Sequence, residues 1–360
     1  GSVVGRSEIP VTFWDAENAG SSDPAYLQSV LRTVGVDADI EALFGLRDGT
    51  GKTVIEARIN YRDDPEGDMF FNWMLGVQKQ LPDKRYIGEK WWYVFEDDKQ
   101  KSNRAKIGRL IDDRMTRASN GGLYVPAENG DMQMFVLLDS LPALLPNDAD
   151  DEDPSKAIGM VARMYSTNLP RIKGRLRKKR ICLLGINQLR AIPMAMFGPK
   201  EKEPCGNAPA FYSDSRTRFT SRASGMPLNP TFEKGFQMEN SAEFENTKDV
   251  YRYIHAANTK SKLGSPRRQT WLRLWVEDGQ GNARGFDPAF DTYQYLAHTG
   301  QIIGTRKALK LNIGAKGNLS KSLSIEDFKF LILASKSVQK EMYGRIGMKP
   351  ITLREGIFKQ

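Results

Sequence analysis

Three short apolar runs, each stopped by a polar residue, constrain this 360-residue chain more than any other feature. They are Ile9-Pro-Val-Thr-Phe-Trp-Asp15, Met132 to Leu138 ending at Asp139-Ser140, and Arg180 to Ile186 ending at Asn187-Gln188. A short run that is apolar without alternation is what a strand needs when both of its faces are buried. Between the second and third runs, Ala157 to about Arg175 carries apolar residues at helical spacing. Strands alternating with helices in this way imply an α/β fold, with a mainly parallel twisted sheet and helices on both faces. The length suffices for one large core of this kind plus a small accessory region.

The remaining elements are read from pattern alone. Ala25 to Val34 and Thr53 onward to Tyr61 read as helical, and Ile40 to Phe44 as a strand. Residues 62–130 differ in character, with acidic turns, an aromatic strand Lys90-Trp-Trp-Tyr-Val-Phe95 and a basic helix from Ser102 to Arg117. Phe211 to Arg222 alternates as a half-exposed strand would, and Tyr251 to Ala257 and Thr270 to Val276 are further strands. A capping pattern, Ser324-x-x-Asp327, opens an amphipathic helix running to about Tyr343. The expected organisation is a first core part over 1–61, an insertion over 62–130, a second core part over 131–300 and a small basic tail over 301–360.

Charge narrows the partners. A formal net charge of +9 favours a polyanion, because phosphates attract Lys and Arg over a Debye length. With two cysteines, neither in a CxxC pair, and two histidines, a zinc site or a disulfide framework is not expected. No apolar run approaches the roughly 20 residues that span a bilayer. No membrane partner is expected, and the setting is a reducing, soluble compartment such as cytoplasm or nucleoid.

Two strand ends carry chemistry. Asp139 closes an apolar strand, and in nucleotide-binding α/β folds such a carboxylate faces the ligand and can hold a magnesium shell. Glu17, just past the strand ending at Asp15, could orient and deprotonate an attacking water beside a γ-phosphate. Either acid could equally cap the turn that follows it. Loop residues Ile192, Met194, Met196 and Phe197 could wedge between bases, or pack as a lid. The run Arg171 to Arg180 reads as a DNA patch or as a solvated helix end whose cations face the dipole.

The combination is more specific. Leu184-Gly-Ile-Asn187-Gln188-Leu-Arg190 is followed by Met196-Phe197-Gly198, Gly206-Asn207-Ala208 and Phe211-Tyr212-Ser-Asp-Ser-Arg216. This series resembles the RecA/UvsX-like homologous recombinases: their strand ending in Asn-Gln, their second DNA-binding loop and the Phe-Tyr strand after it. The resemblance covers roughly residues 9 to 290, apart from 62–130. It implies ATP and Mg2+ as cofactors, with Glu17 as general base, Asp139 and Ser140 as the Walker B end, and Gln188 as the γ-phosphate sensor. Asp23 and Tyr26 would hold adenine, and Lys260 and Lys262 would reach a neighbour's ATP across a filament interface. Arg163, Ser166, Arg190, Met196, Phe197, Gly198, Gly206 and Asn207 would meet DNA. The implied partners are single-stranded DNA, homologous duplex DNA and further copies of the chain in a helical filament. Pro170, Pro193 and Cys205 depart from the family pattern, and the insertion and tail suggest a divergent, phage-like member.

The family's P-loop belongs one helix before the strand ending at Asp15, ahead of Gly1. Truncation, a separately supplied segment and a nucleotide-silent relative are the three explanations. Gly49-Thr-Gly51-Lys52-Thr53 imitates the end of a P-loop, but Leu46 stands where its first glycine should be. Gly314 to Ser322 imitates one less well, being one residue too long. The alternatives to an ATP-dependent recombinase are a non-hydrolysing DNA-binding filament protein and a hexameric helicase on the same fold.

Overall fold

A computed structural model describes residues 10–18, 44–55, 59–96, 114–117, 122–127, 132–147, 154–192, 201–222, 250–264 and 267–277. It also describes residues 41, 57, 103, 106 and 107 and the segments 285–286, 302–305, 308–313 and 317–318. The helices expected at 25–34 and 324–343 lie outside these residues, as does the second P-loop imitation apart from Gly317-Asn318. The chain divides into two compact units, one of Gly1–Ser22 with Glu41–Ser213 and one of Asp23–Ile40 with Asp214–Gln360.

The first unit contains strands β1 (Val11–Asp15), β2 (Leu46–Arg47), β3 (Thr53–Ile55) and β4 (Ile59–Arg62), then helix α1 (Gly67–Gln80). Strands β5 (Asp83–Ile87), β6 (Lys90–Phe95), β7 (Thr116–Arg117), β8 (Leu123–Pro126) and β9 (Met134–Asp139) follow. Helix α2 (Pro154–Lys178), strands β10 (Ile181–Gly185), β11 (Arg190–Ala191) and β12 (Glu201–Lys202), and the short helix α3 (Ala208–Tyr212) complete it.

The fold is α/β, and its centre is a four-stranded parallel sheet in the order β10-β9-β1-β4. The three apolar runs supply three of those strands. Register puts Trp14, Val136 and Leu138 on one face, where all three are fully buried. Helices α1 and α2 cover that face through Phe70, Phe71, Met74, Met164, Tyr165 and Ile172. On the opposite face Phe13 and Tyr61 meet edge to face, and Phe44, in a helical turn, packs on Tyr61 with ring centroids 5.6 Å apart. Pro170 stands inside α2, which runs unbroken for 25 residues.

Three local expectations are corrected. Thr53 to Tyr61 is not helical: it forms β3, paired back on β2, and β4, paired with β1. Its apolar residues satisfy either period, and the open edge of β1 decides between them. Glu41 and Phe44 are helical rather than extended, and Gly45, at φ +81°, ends that turn by donating to the Glu41 carbonyl at 2.8 Å. Phe211 and Tyr212 sit in α3, not in a strand, since Pro209 near its start is pre-set for a helix.

Strands β5 to β8 form their own antiparallel sheet in the order β5-β6-β8-β7, with a small core of Tyr93, Phe95, Leu123, Val125 and Ala127. In the second unit, β13 (Ser215–Arg222), β14 (Val250–Ser261) and β15 (Gln269–Glu277) pair antiparallel, with Gly285–Phe286 at the edge. Among the described residues no helix is long and apolar enough to cross a membrane.

Candidate functional site

Parallel strands deliver their C-terminal ends to one edge, and there three polar segments converge. Asp15 of β1 and Asp139 of β9 are register partners. The amides of Ala16 and Glu17 both donate to the Asp139 carbonyl, at 2.7 and 3.3 Å, which turns the chain across the end of β9. Ile186 continues the β10 end by donating to the Leu138 carbonyl at 3.0 Å and accepting from the Leu141 amide at 2.8 Å. The Asp139–Ser140 peptide bond is cis.

The side chains meet on Glu17. The Ser140 hydroxyl, fully buried, donates to Glu17 Oε1. Gln188 Nε2 donates to the same oxygen at 2.8 Å, across 171 positions of sequence. The Glu17 and Gln188 side chains are exposed at this edge, so the carboxylate is oriented by two donors yet open to solvent. Behind it Asp15 is fully buried and accepts from the Tyr61 hydroxyl at 2.6 Å. Tyr61 is a site residue that the helical expectation for its stretch conceals; the alternation of Ile59 and Tyr61 with polar residues is the signal for a strand.

Asp139 titrates above the usual carboxylate range, because burial and then the negative charges of Glu17 and Asp15 disfavour its ionised form. An acid whose folded pKa is raised loses stability as pH rises past its unfolded pKa, since the unfolded chain then ionises more readily. Asp139→Asn is therefore expected to raise the thermal midpoint of the ligand-free protein at neutral pH, by about 2 °C, with the gain vanishing near pH 3. A calorimetric pH series showing an equal gain at every pH would contradict this. Among the described residues no group of three His, Cys, Asp or Glu side chains is arranged to hold a metal. A lone carboxylate at a strand end, such as Asp139, has the chemistry to steady the water shell of a magnesium ion held mainly by phosphates.

Gln188 leads directly into the second loop. Its neighbour Asn187 donates to Glu203 Oε2 at 3.1 Å and accepts from the Gln188 amide at 3.0 Å. Arg190 lies on β11, exposed, and pairs in register with Lys202 of β12, so Arg190–Ala191 and Glu201–Lys202 lie side by side. Cys205, in the turn before α3, is fully buried beside Asn187, its thiol pushed up to about 12 by burial. Gly206 has φ +69°, and a Cβ there would stand 2.9 Å from that of Ala162 on α2, so glycine is required on both counts. Asn207 is exposed and precedes α3. Arg163 and Ser166 are exposed on α2, with the Ser166 hydroxyl donating to the Arg163 carbonyl at 2.9 Å.

Met196, Phe197, Gly198, Asp23 and Tyr26 lie outside the described residues. Lys260 and Lys262 belong to the second unit, where Lys260 pairs with Arg216 across β14 and β13. The Lys262 amide donates to the Asp214 carbonyl at 2.8 Å, and its ammonium lies 3.6 Å from the Asp214 carboxylate. The first P-loop imitation is the turn of the β2–β3 hairpin. There the Asp48 carboxylate takes the Thr50 hydroxyl and the amides of Thr50 and Lys52, at 2.6, 2.9 and 3.0 Å. Those bonds hold its pKa below the usual range, the hydroxyl bond foremost, and they occupy amides that a phosphate would need.

Residues 126–229 match the model of the RecA N-terminal domain. Protein RecA of Borreliella burgdorferi (strain ZS7) is 40% identical over 167 residues, which is 46% of this chain and 42% of that protein. Protein RecA of Thermus aquaticus is 28% identical over 168 residues, 46% of this chain and 43% of its own length. In both, the match spans less than half of the relative. A crystal structure of the RadB recombinase aligns over 78% of this chain and 79% of its own at 12% identity, with a TM-score of 0.35, too low to bear on the fold.

Proposed function

We propose that this chain, whose residues 126–229 match the RecA N-terminal domain, is a DNA-dependent ATPase that forms helical filaments on single-stranded DNA and pairs it with homologous duplex. The observation that carries the reading is the junction on Glu17, where Ser140 and Gln188 donate to one oxygen and Asn187 anchors the return of the next loop. In this reading the group that senses phosphate and the loop that meets DNA are one residue apart. In this reading Glu17 takes the proton from the attacking water, and Gln188 shifts between that carboxylate and the γ-phosphate. Asp139, beside Ser140, would steady the water shell of Mg2+, which when bound screens phosphate charge. Asp23 and Tyr26 would hold adenine, and Lys260 and Lys262 of the next protomer would close over the phosphates.

DNA would meet Arg163, Ser166, Arg190, Gly206 and Asn207, together with Met196, Phe197 and Gly198. Backbone amides and flexible cations hold phosphates without reading sequence, which homologous pairing requires. A head-to-tail interface that does not close generates the filament. The test is ATP turnover with and without single-stranded oligonucleotide, on this chain and on the chain extended N-terminally, with electron microscopy of the DNA complex. DNA-stimulated turnover and open filaments are expected. Closed rings, or DNA binding with no turnover in either form, would overturn the reading.

A further inference from the structure

Seven cations between Arg171 and Arg180, and the aromatic strand β6, take no part in the site above. The fold brings them together. Lys179 donates to the Leu81 carbonyl at 2.6 Å and pairs with Asp83 at 2.7 Å. The Gln133 side-chain amide donates to the carbonyls of Pro82 and Lys179, both at 2.9 Å, and its backbone amide donates to Arg180. These bonds fix the start of β5 against the end of α2. The Arg180 guanidinium then lies 4.7 Å over the Trp91 ring, and Trp91 meets its cross-strand partner Tyr86 with centroids 5.2 Å apart.

That face of the small sheet is buried along Tyr93, Phe95, Leu123 and Val125, yet Tyr86 at its end is 59% exposed. The last turn of α2, which ends two residues before Arg180, also carries the exposed Arg175, Arg177 and Lys178. Cations there also answer the helix dipole, but the dipole gives no reason for an exposed aromatic rung next to them. We propose that this surface binds single-stranded nucleic acid, with a base stacked on Tyr86 beside Trp91 and phosphates on Arg175, Arg177 and Lys178. An acidic protein would satisfy the cations but make no use of an open ring face, and a duplex hides its base faces. The surface lies at the opening end of β9, roughly 20 Å along the strand from Asp139 at about 3.3 Å per residue, and so is separate from the loop site.

The test is photo-cross-linking of the whole chain to an oligothymidylate carrying iododeoxyuridine, followed by peptide mapping. Cross-links at Tyr86 or Trp91 are expected. Tyr86→Ala should lower their yield about tenfold, the scale of one lost stacking contact, while Tyr86→Phe retains them. Replacing Arg175, Arg177 and Lys178 together by Gln should reduce the slope of log affinity against log salt by about 2. Unchanged far-UV circular dichroism and thermal midpoint establish that the variants are folded. Cross-links confined to residues 190–207 would overturn the proposal, as would equal competition by an abasic oligonucleotide or by polyglutamate. Cross-links at Tyr86 without ATP turnover would count against the recombinase reading alone, and the converse pattern against this surface alone.

Discussion

Glu17→Gln is expected to cut DNA-stimulated ATP turnover by about 10² to 10⁴-fold while leaving DNA binding within twofold, because it removes a base and little else. The geometry makes this a clean substitution. Glu17 uses one oxygen, Oε1, to accept from both Ser140 and Gln188. A glutamine oriented with its carbonyl at that point keeps both bonds, so the junction between β1, β9 and β10 stays closed. What it loses is the ability to take a proton from water, along with one negative charge beside Asp139. Loss of that charge should bring the Asp139 pKa down toward its ordinary value, which a carboxylate-resolved NMR titration would read independently of turnover. Turnover that survives at more than half the parent rate would remove Glu17 from the role of base and direct attention to Asp139 or to another chain.

How far the sequence disclosed all this depends on the kind of interaction. Strands β1, β9 and β10 and helix α2 were legible because each is a local pattern: an unbroken apolar run, or apolar residues at helical spacing. The strand-end acids were legible for the same reason, and the Asn187-Gln188 motif through resemblance. The bonds that assemble them were not, since Glu17 and Gln188 are joined only by the pairing of β1 and β10 on either side of β9. Thr53 to Tyr61 misled because its residues fit two periods, and the β1 edge that settles the matter for Ile59 to Tyr61 lies 48 positions earlier. The burial of Cys205 has no local pattern to announce it, since it lies in a turn between Pro204 and Gly206, and only the close approach to Ala162 shows why glycine follows it.

Trp14→Ala is expected to be the most destabilising single truncation in the first unit, at about 3 to 5 kcal/mol, the range for removing a large aromatic from a packed core. Trp14 sits on β1, which pairs with both β9 and β4, and its side chain is fully buried. Its ring meets Phe70 at 5.1 Å and Trp73 at 5.4 Å, so it joins the sheet to α1. The indole nitrogen donates to the Asp64 carbonyl at 2.6 Å, holding the turn between β4 and α1. The Arg62 guanidinium lies 5.5 Å from the Trp14 ring and 5.4 Å from that of Trp73, so truncation also strips a charged group of one of its two aromatic partners. Trp14→Phe keeps much of the packing and loses the donor, and should cost about 1 to 2 kcal/mol less than alanine. Urea unfolding followed by circular dichroism reads both, with the midpoint moving and the slope held. A cost below about 1 kcal/mol for alanine would mean that α1 is not secured to the sheet through this ring. Because β1 also carries Asp15 and leads directly into Glu17, a loosened Trp14 is expected to lower turnover before it unfolds the chain, which separates it from Glu17→Gln, where turnover falls at unchanged stability.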